Sequence, residues 1–294
     1  ACRLWDVCER FKQLRQANHL RTFLPVRKDK LYIRPISKEF LHEIVPSLSS
    51  LRVLSLAGYS LPDLPDSSQR LKQLRLLNLS LTNIENLPDW VCTFYNLQTL
   101  LLSDCKNLEE LPDDMGKLLN LRHLDITGTP LKKLPAQIGE LKCLQVLTTF
   151  VCNKDPGLMI EDLGKLCNLR GKLTVSGLEN AGNGLEATLA NMKGKKHLED
   201  LSLEWNGTAD DSQEAIDILQ KLQPSSRIKR LEVKGYGGTR FPDWLADQSF
   251  HNVVSVILSR CSNCFCLPAL GQLPSLKFLT IADMGKISII DMQF

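Results

Sequence analysis

Nothing in this chain approaches the ~18 consecutive apolar residues of a membrane-spanning helix, and no signal-peptide core follows its start. No Gly-Lys pair is followed by Ser or Thr, so the loop that cradles nucleotide phosphates is missing. HExxH, GxSxG and protein-kinase signatures are missing too, and the five histidines, His19, His42, His123, His197 and His251, are scattered. The common hydrolase and phosphotransferase chemistries are thereby excluded, and the expectation is that the chain is not an enzyme. Aromatic residues are only 6% of the total, and the net charge is +3 from 36 Lys and Arg against 33 Asp and Glu. A nucleic-acid reader needs a continuous basic face with aromatic stacking, which this composition does not supply. The ten cysteines show no regular pairing, which fits a reducing compartment such as the cytoplasm better than a disulfide scaffold.

Abundant leucine is what remains. LRVLSL begins at Leu51, LRLLNL at Leu74, LQTLLL at Leu97, LRHLDI at Leu121 and LQVLTT at Leu144. The pattern resumes with LEDLSL at Leu198, IKRLEV at Ile228, VVSVIL at Val253 and LKFLTI at Leu276. An irregular form, LRGKLTV, starts at Leu169 and a degenerate one, LRTFLP, at Leu20, giving about eleven units. Alternation within xLxL buries one side of a short strand, and the Pro of the following LP fixes φ and ends pairing. No unit can bury its own leucines, whereas stacked units share a core. The expected fold is therefore an α/β solenoid, a leucine-rich-repeat horseshoe. A parallel β-sheet lines its concave face, and short helices or irregular turns lie on its convex face.

The expected organisation is a capping helix over 1–19, carried by Leu4, Val7, Cys8, Phe11 and Leu14, then a solenoid over 20–294. Within it, 51–150 is regular, 151–252 is irregular with longer helical inserts, and 253–294 is regular again. The segments 185–192 and ADDSQEAIDILQKLQP are the inserts, the second with an apolar stripe through Ala215, Ile216, Ile218, Leu219 and Leu222. With no polar unit closing the C-terminal end, the chain reads as cut from a longer protein. Cys261, Cys264 and Cys266 suggest a zinc knuckle, but repeat alignment puts Cys261 on Cys105 and Cys264 on Leu108, both fold positions. No second CxxC or His pair completes four ligands, so no metal is expected. Ser68 stands where the outer pattern has Val91, Met115 and Ile138, which predicts a looser unit there.

Longer stretches carry more information than LxxLxL. LRTFLP near the start, NLRGKLTVSGLENA at 168–181, LPALGQLPSLKFLTI at 267–281 and the LPxxIGxLxxLxxLxL units closely resemble the repeat domain of one family. These are the plant intracellular nucleotide-binding leucine-rich-repeat disease-resistance proteins of the coiled-coil class. The resemblance implies a domain that senses pathogen effectors or modified host proteins and restrains a nucleotide switch until then. It implies protein partners, among them the receptor's own nucleotide-binding domain in cis, and a cytoplasmic setting (through the full-length protein, also the membrane surface or nucleus). ATP or ADP belongs to an upstream domain, so no cofactor is expected in this chain. A generic protein-interaction scaffold unrelated to immunity is the alternative.

Candidate contacts lie on the expected concave face. Arg52, Arg75, Gln98, Arg122 and Gln145 follow the first leucine of successive units and form a basic stripe, with His123 beside it. Glu199, Asp200 and Glu204 are expected to pair with Lys229, Arg230 and Lys234 in the next unit. Trp205 and Tyr236 are taken as contact residues at the far end. Trp90 aligns with Asp114 and Gln137 and is expected to stand exposed on the outer face.

Overall fold

The structure, a computed structural model, describes residues 14, 17, 19–25, 34–37, 40–153, 157–207 and 212–290. The residues expected to form the capping helix lie almost wholly outside these. The chain divides into two compact units, Ala1–Leu144 and Gln145–Phe294.

The first unit contains β1 (Thr22–Phe23), β2 (Arg34–Pro35), β3 (Val53–Ser55), β4 (Tyr59–Ser60), β5 (Leu76–Asn78), β6 (Thr99–Leu101) and β7 (His123–Asp125). A parallel ladder runs β1-β3-β5-β6-β7, with Leu54, Leu77, Leu100 and Leu124 in one register row. The degenerate LRTFLP thus supplies a rung of its own. β2 and β4 form a separate parallel pair. Alternation is physical here: Leu54, Leu77, Leu100 and Leu124 are no more than 2% exposed, while the strand residues on either side are half-buried, apart from the buried Ser55.

After each strand the chain turns through one left-handed residue. Gly58, Leu81, Asp104 and Gly128 hold that place, at φ 73°, 60°, 58° and 71°. It then reaches an extended proline (Pro65, Pro88, Pro112, Pro135) and a five-residue 3-10 turn. These turns are Asp66–Arg70, Asp89–Thr93, Asp113–Lys117 and Ala136–Glu140, and the third residue of each is buried: Ser68, Val91, Met115 or Ile138, joined in the second turn by Cys92. Ser68 occupies its slot at 4% exposure with the same turn hydrogen bond to Pro65 O, 2.9 Å. Just before the next strand an asparagine ties two of these repeats to their predecessors. Asn96 Nδ2 donates to Lys72 O at 3.0 Å and Asn120 Nδ2 to Tyr95 O at 2.8 Å.

The second unit contains β8 (Val146–Leu147), β9 (Thr149–Val151), β10 (Arg170–Ser176), β11 (His197–Glu204), β12 (Arg230–Lys234), β13 (Ser255–Ser259), β14 (Cys266–Leu267), β15 (Phe278–Ala282) and β16 (Ile289–Ile290). Its parallel ladder runs β9-β10-β11-β12-β13-β15, and β14 pairs with β16. The irregular LRGKLTV is β10, whose register shifts at Gly171/Lys172 before it rejoins the ladder. Where the spacing lengthens, helices appear, one of them between the 3-10 turns Leu178–Asn180 and Met192–Gly194. Gly184–Leu189 starts on Asn183, whose side chain accepts from Leu185 N and Glu186 N, and Ser212–Lys221 buries Ala215, Ile218 and Leu219.

Candidate protein-interaction faces

In the first unit, the side chains that alternate with the core leucines form a face of their own. Arg52 N donates to Arg21 O at 2.8 Å, Arg75 N to Arg52 O at 2.7 Å, Gln98 N to Arg75 O at 2.8 Å and Arg122 N to Gln98 O at 2.9 Å. Successive rungs of a sheet lie about 4.8 Å apart, so four arginines stand in one column of five, broken only by Gln98. Arg21 was not among the residues selected from sequence; its signal was there, in the degenerate LRTFLP. Among the described residues none of the four arginines makes an ion pair. His123 is half-buried in the next column, in register with Thr99, and Asp125 Oδ1 accepts from Thr127 N at 3.0 Å.

The second unit neutralises its charges instead. Lys229 Nζ lies 2.9 Å from Glu199 Oε2, Arg230 Nη1 3.7 Å from Asp200 Oδ2, and Lys234 Nζ 3.6 Å from Glu204 Oε2. Parallel pairing in register, Asp200 with Arg230 and Glu204 with Lys234, sets up these contacts. Beyond them Lys277 continues the column of Lys229 and Val254, and Phe278 stands 65% exposed in the column of Asp200, Arg230 and Ser255. Phe278 was missed from sequence because its alternation fits the strand pattern whether or not it has a neighbour.

Three expectations need correction. Trp205 and Tyr236 are not on the open face: they are 4% and 1% exposed, with ring centroids 5.2 Å apart at 62°. Tyr236 Oη donates to Arg240 O at 2.8 Å, and burial raises its pKa above the ordinary phenol value. The left-handed turn at Gly235 lies against Trp205 O, where a Cβ would come within 2.1 Å, and the Tyr236 that follows it packs on Trp205 inside the core. Trp90 is half-buried rather than free. Its indole N–H donates to Asp66 Oδ1 at 3.1 Å, and its ring meets Phe94 at 5.6 Å.

The cysteine cluster is explained by hydrogen bonding. Cys261 and Cys264 are both 0% exposed, and the Cys264 thiol donates to Gly238 O at 3.1 Å. Burial pushes Cys261 up to about 11 and Cys264 to about 12, which keeps both as thiols. Among the described residues no group of three or more His, Cys, Asp and Glu is placed to hold a metal. No helix among them is long and apolar enough to cross a membrane.

The family described as R13L1/DRL21 LRRs matches residues 160–284, and the general leucine-rich repeat matches 96–118. A putative disease resistance protein of Arabidopsis thaliana is 43% identical over 302 residues, covering 98% of this chain and 21% of that protein. The putative disease resistance RPP13-like protein 1 of the same plant is 41% identical over 97% of this chain and 28% of its own length. The chain belongs to the leucine-rich-repeat domains of plant disease-resistance proteins. Disease resistance protein RGA2 of Solanum bulbocastanum is 37% identical over 53% of this repeat domain and 16% of its own length. The repeat domain thus spans less than a third of each of these relatives. Solved structures show the fold alone. The functional domain of InlJ from Listeria monocytogenes superposes with TM-score 0.52 at 14% identity, covering 84% of this chain and 52% of that one. The leucine-rich-repeat domain of the type III effector XopL gives 0.50 at 19% identity, over 96% and 83%.

Proposed function

We propose that this repeat domain is the recognition and autoinhibitory module of a plant innate immune receptor, acting through protein contacts without catalysis or a cofactor of its own. One observation carries the restraint half of this reading: the column Arg21, Arg52, Arg75 and Arg122, exposed or half-buried and without a carboxylate partner. A row of like charge is self-repelling, and an acidic protein surface laid along it relieves that repulsion. The second unit serves as the internal contrast, since its charges already answer one another across β11 and β12.

In this reading the acidic surface belongs to the receptor's own nucleotide-binding region, held shut in the cytoplasm. The trigger is a pathogen effector or a modified host protein that binds the repeats and displaces that surface. The test is the triple variant Arg52→Glu, Arg75→Glu, Arg122→Glu in the full-length receptor. Cell death without any trigger is the expected result, with the protein at normal abundance. A well-expressed triple variant that stays silent without a trigger overturns the restraint role.

A further inference from the structure

The first unit carries a second surface, at the N-terminal entry to its strands. In three consecutive repeats the two residues before the strand leucine and the one after it are Lys72, Gln73 and Arg75; Tyr95, Asn96 and Gln98; and Leu119, Asn120 and Arg122. None of the nine is acidic. Tyr95 is 57% exposed and Leu119 64%, on adjacent repeats joined by the Asn120 bond to Tyr95 O at 2.8 Å. The same place holds lysine in the repeat before and the repeat after, Lys72 and Lys142.

The backbone does not require the two apolar side chains. Asn96 and Asn120 provide the inter-repeat hydrogen bonds, and Phe94 and Leu118 fill the core at 1% and 0% exposure. The Lys72 ammonium is held above Phe94, 5.9 Å from the ring, by Thr93 Oγ1 at 2.7 Å. The result is an apolar pair with Lys72 and Lys142 at the same position in the flanking repeats and Arg75 and Arg122 in the adjacent column, the pattern of apolar anchors beside a polar rim. A polyphosphate or nucleic-acid strand would use the cations but not Leu119. A protein partner uses both.

We infer that Tyr95 and Leu119, with Arg75 and Arg122, dock an acidic amphipathic helix of a separate protein, its leucines seated between the two anchors and its carboxylates turned to the arginines. This deepens the recognition half of the reading above and rests on it, by giving the chemistry of the recognised surface. Helical residues i and i+4 lie about 6 Å apart, which suits carboxylates facing cations on neighbouring rungs.

The probe is a short synthetic helical peptide with leucines at i and i+4 between glutamates. Its lysine counterpart is the control, and binding to the purified chain is followed by fluorescence anisotropy at two salt concentrations. The acidic peptide is expected to bind at least about tenfold more tightly than the basic one. Tyr95→Ser/Leu119→Ser should weaken it at least about tenfold while keeping the salt dependence, and Arg75→Glu/Arg122→Glu should remove that dependence. Both double variants alter exposed side chains, and an unchanged melting curve confirms folding. Equal binding of the two peptides, or full affinity in the Tyr95→Ser/Leu119→Ser variant, overturns the inference. These readouts involve no immune response, so the inference fails or stands apart from the receptor reading. A photo-cross-linker at position 119 of the intact receptor settles the source: an adduct to an acidic segment of a separate protein supports it, and an adduct within the receptor's own chain overturns it.

Discussion

Trp90 and Trp205 stand for the two units. In the first, repeats 23 or 24 residues apart leave room for a five-residue 3-10 turn and nothing more, and the core is almost wholly aliphatic. Trp90 there lies on the turn and leans on Phe94. In the second, longer repeats admit the helices Gly184–Leu189 and Ser212–Lys221, and aromatics fill the wider gap. Trp205 packs on Tyr236, Tyr236 on Phe241 at 5.5 Å, and Trp244 on Phe250 at 6.0 Å. The open faces differ in the opposite sense: the compact unit leaves its arginines unanswered and the wider one pairs its charges. Repeat length sets how the core is filled, and the open face is free of that duty.

The sharpest way to break this comparison is to truncate both tryptophans. Trp205→Ala should lower stability by about 3–5 kcal/mol, as full loss of a buried indole does. Trp90→Ala should lose no more than about 1 kcal/mol, because an exposed hydrogen bond and one ring edge are all it makes. Chemical denaturation of the two variants checks this, and equal losses would erase the distinction.

The left-handed turn column offers a second contrast. Gly235→Ala in the second unit should cost more than about 2 kcal/mol, since a Cβ there would sit 2.1 Å from Trp205 O in a conformation that L-residues already resist. Leu81 in the first unit adopts φ 60° while 40% exposed, so Leu81→Gly should raise stability by up to about 1 kcal/mol. A destabilised Leu81→Gly would show that the leucine side chain holds its turn.

The third prediction concerns pH. Lys195 takes a place in the second unit that Leu166 fills one repeat earlier, is 2% exposed, and donates to Leu163 O at 2.7 Å and Leu166 O at 3.0 Å. Burial lowers its pKa from 10.5 to about 8, with Cys167 acting weakly the other way. The unfolded chain therefore holds the proton more tightly, and its stabilisation relative to a neutral side chain is present above pH 10.5 and lost as pH falls to about 8. Wild type should gain stability relative to Lys195→Met as pH rises through that window. Parallel pH curves for the two proteins would contradict it.

The smallest effects concern the open faces. Glu199→Ala should cost about 0.2–1 kcal/mol through loss of its contact with Lys229, an effect that shrinks in high salt. Arg75→Ala should change stability by less than about 0.5 kcal/mol, having no partner to lose. If Arg75→Ala destabilised the chain as much as Glu199→Ala, the arginine column would be structural rather than a contact surface.

By itself the sequence determined the repeat, its register and its core. A period of 23 or 24 residues with alternating leucines has one way to bury itself, so even the degenerate LRTFLP fell on a rung, β1 beside β3. It determined the pairing of Glu199 with Lys229 as well, because parallel strands in register bring equivalent positions side by side. Position in the repeat could not say which way the chain leaves a strand. Trp205 and Tyr236 come at strand ends, where the chain can carry a side chain to the open face or into the core, and here the left-handed Gly235 brings Tyr236 onto Trp205 inside. Nor could it separate Tyr95 from Phe94, or Leu119 from Leu118, neighbouring apolar residues of which one is buried and the next stands in solvent. That choice depends on where the adjacent repeat's backbone passes, set here by the Asn96 and Asn120 bonds, and a bond between residues 24 or 25 positions apart exists only once the repeats have stacked.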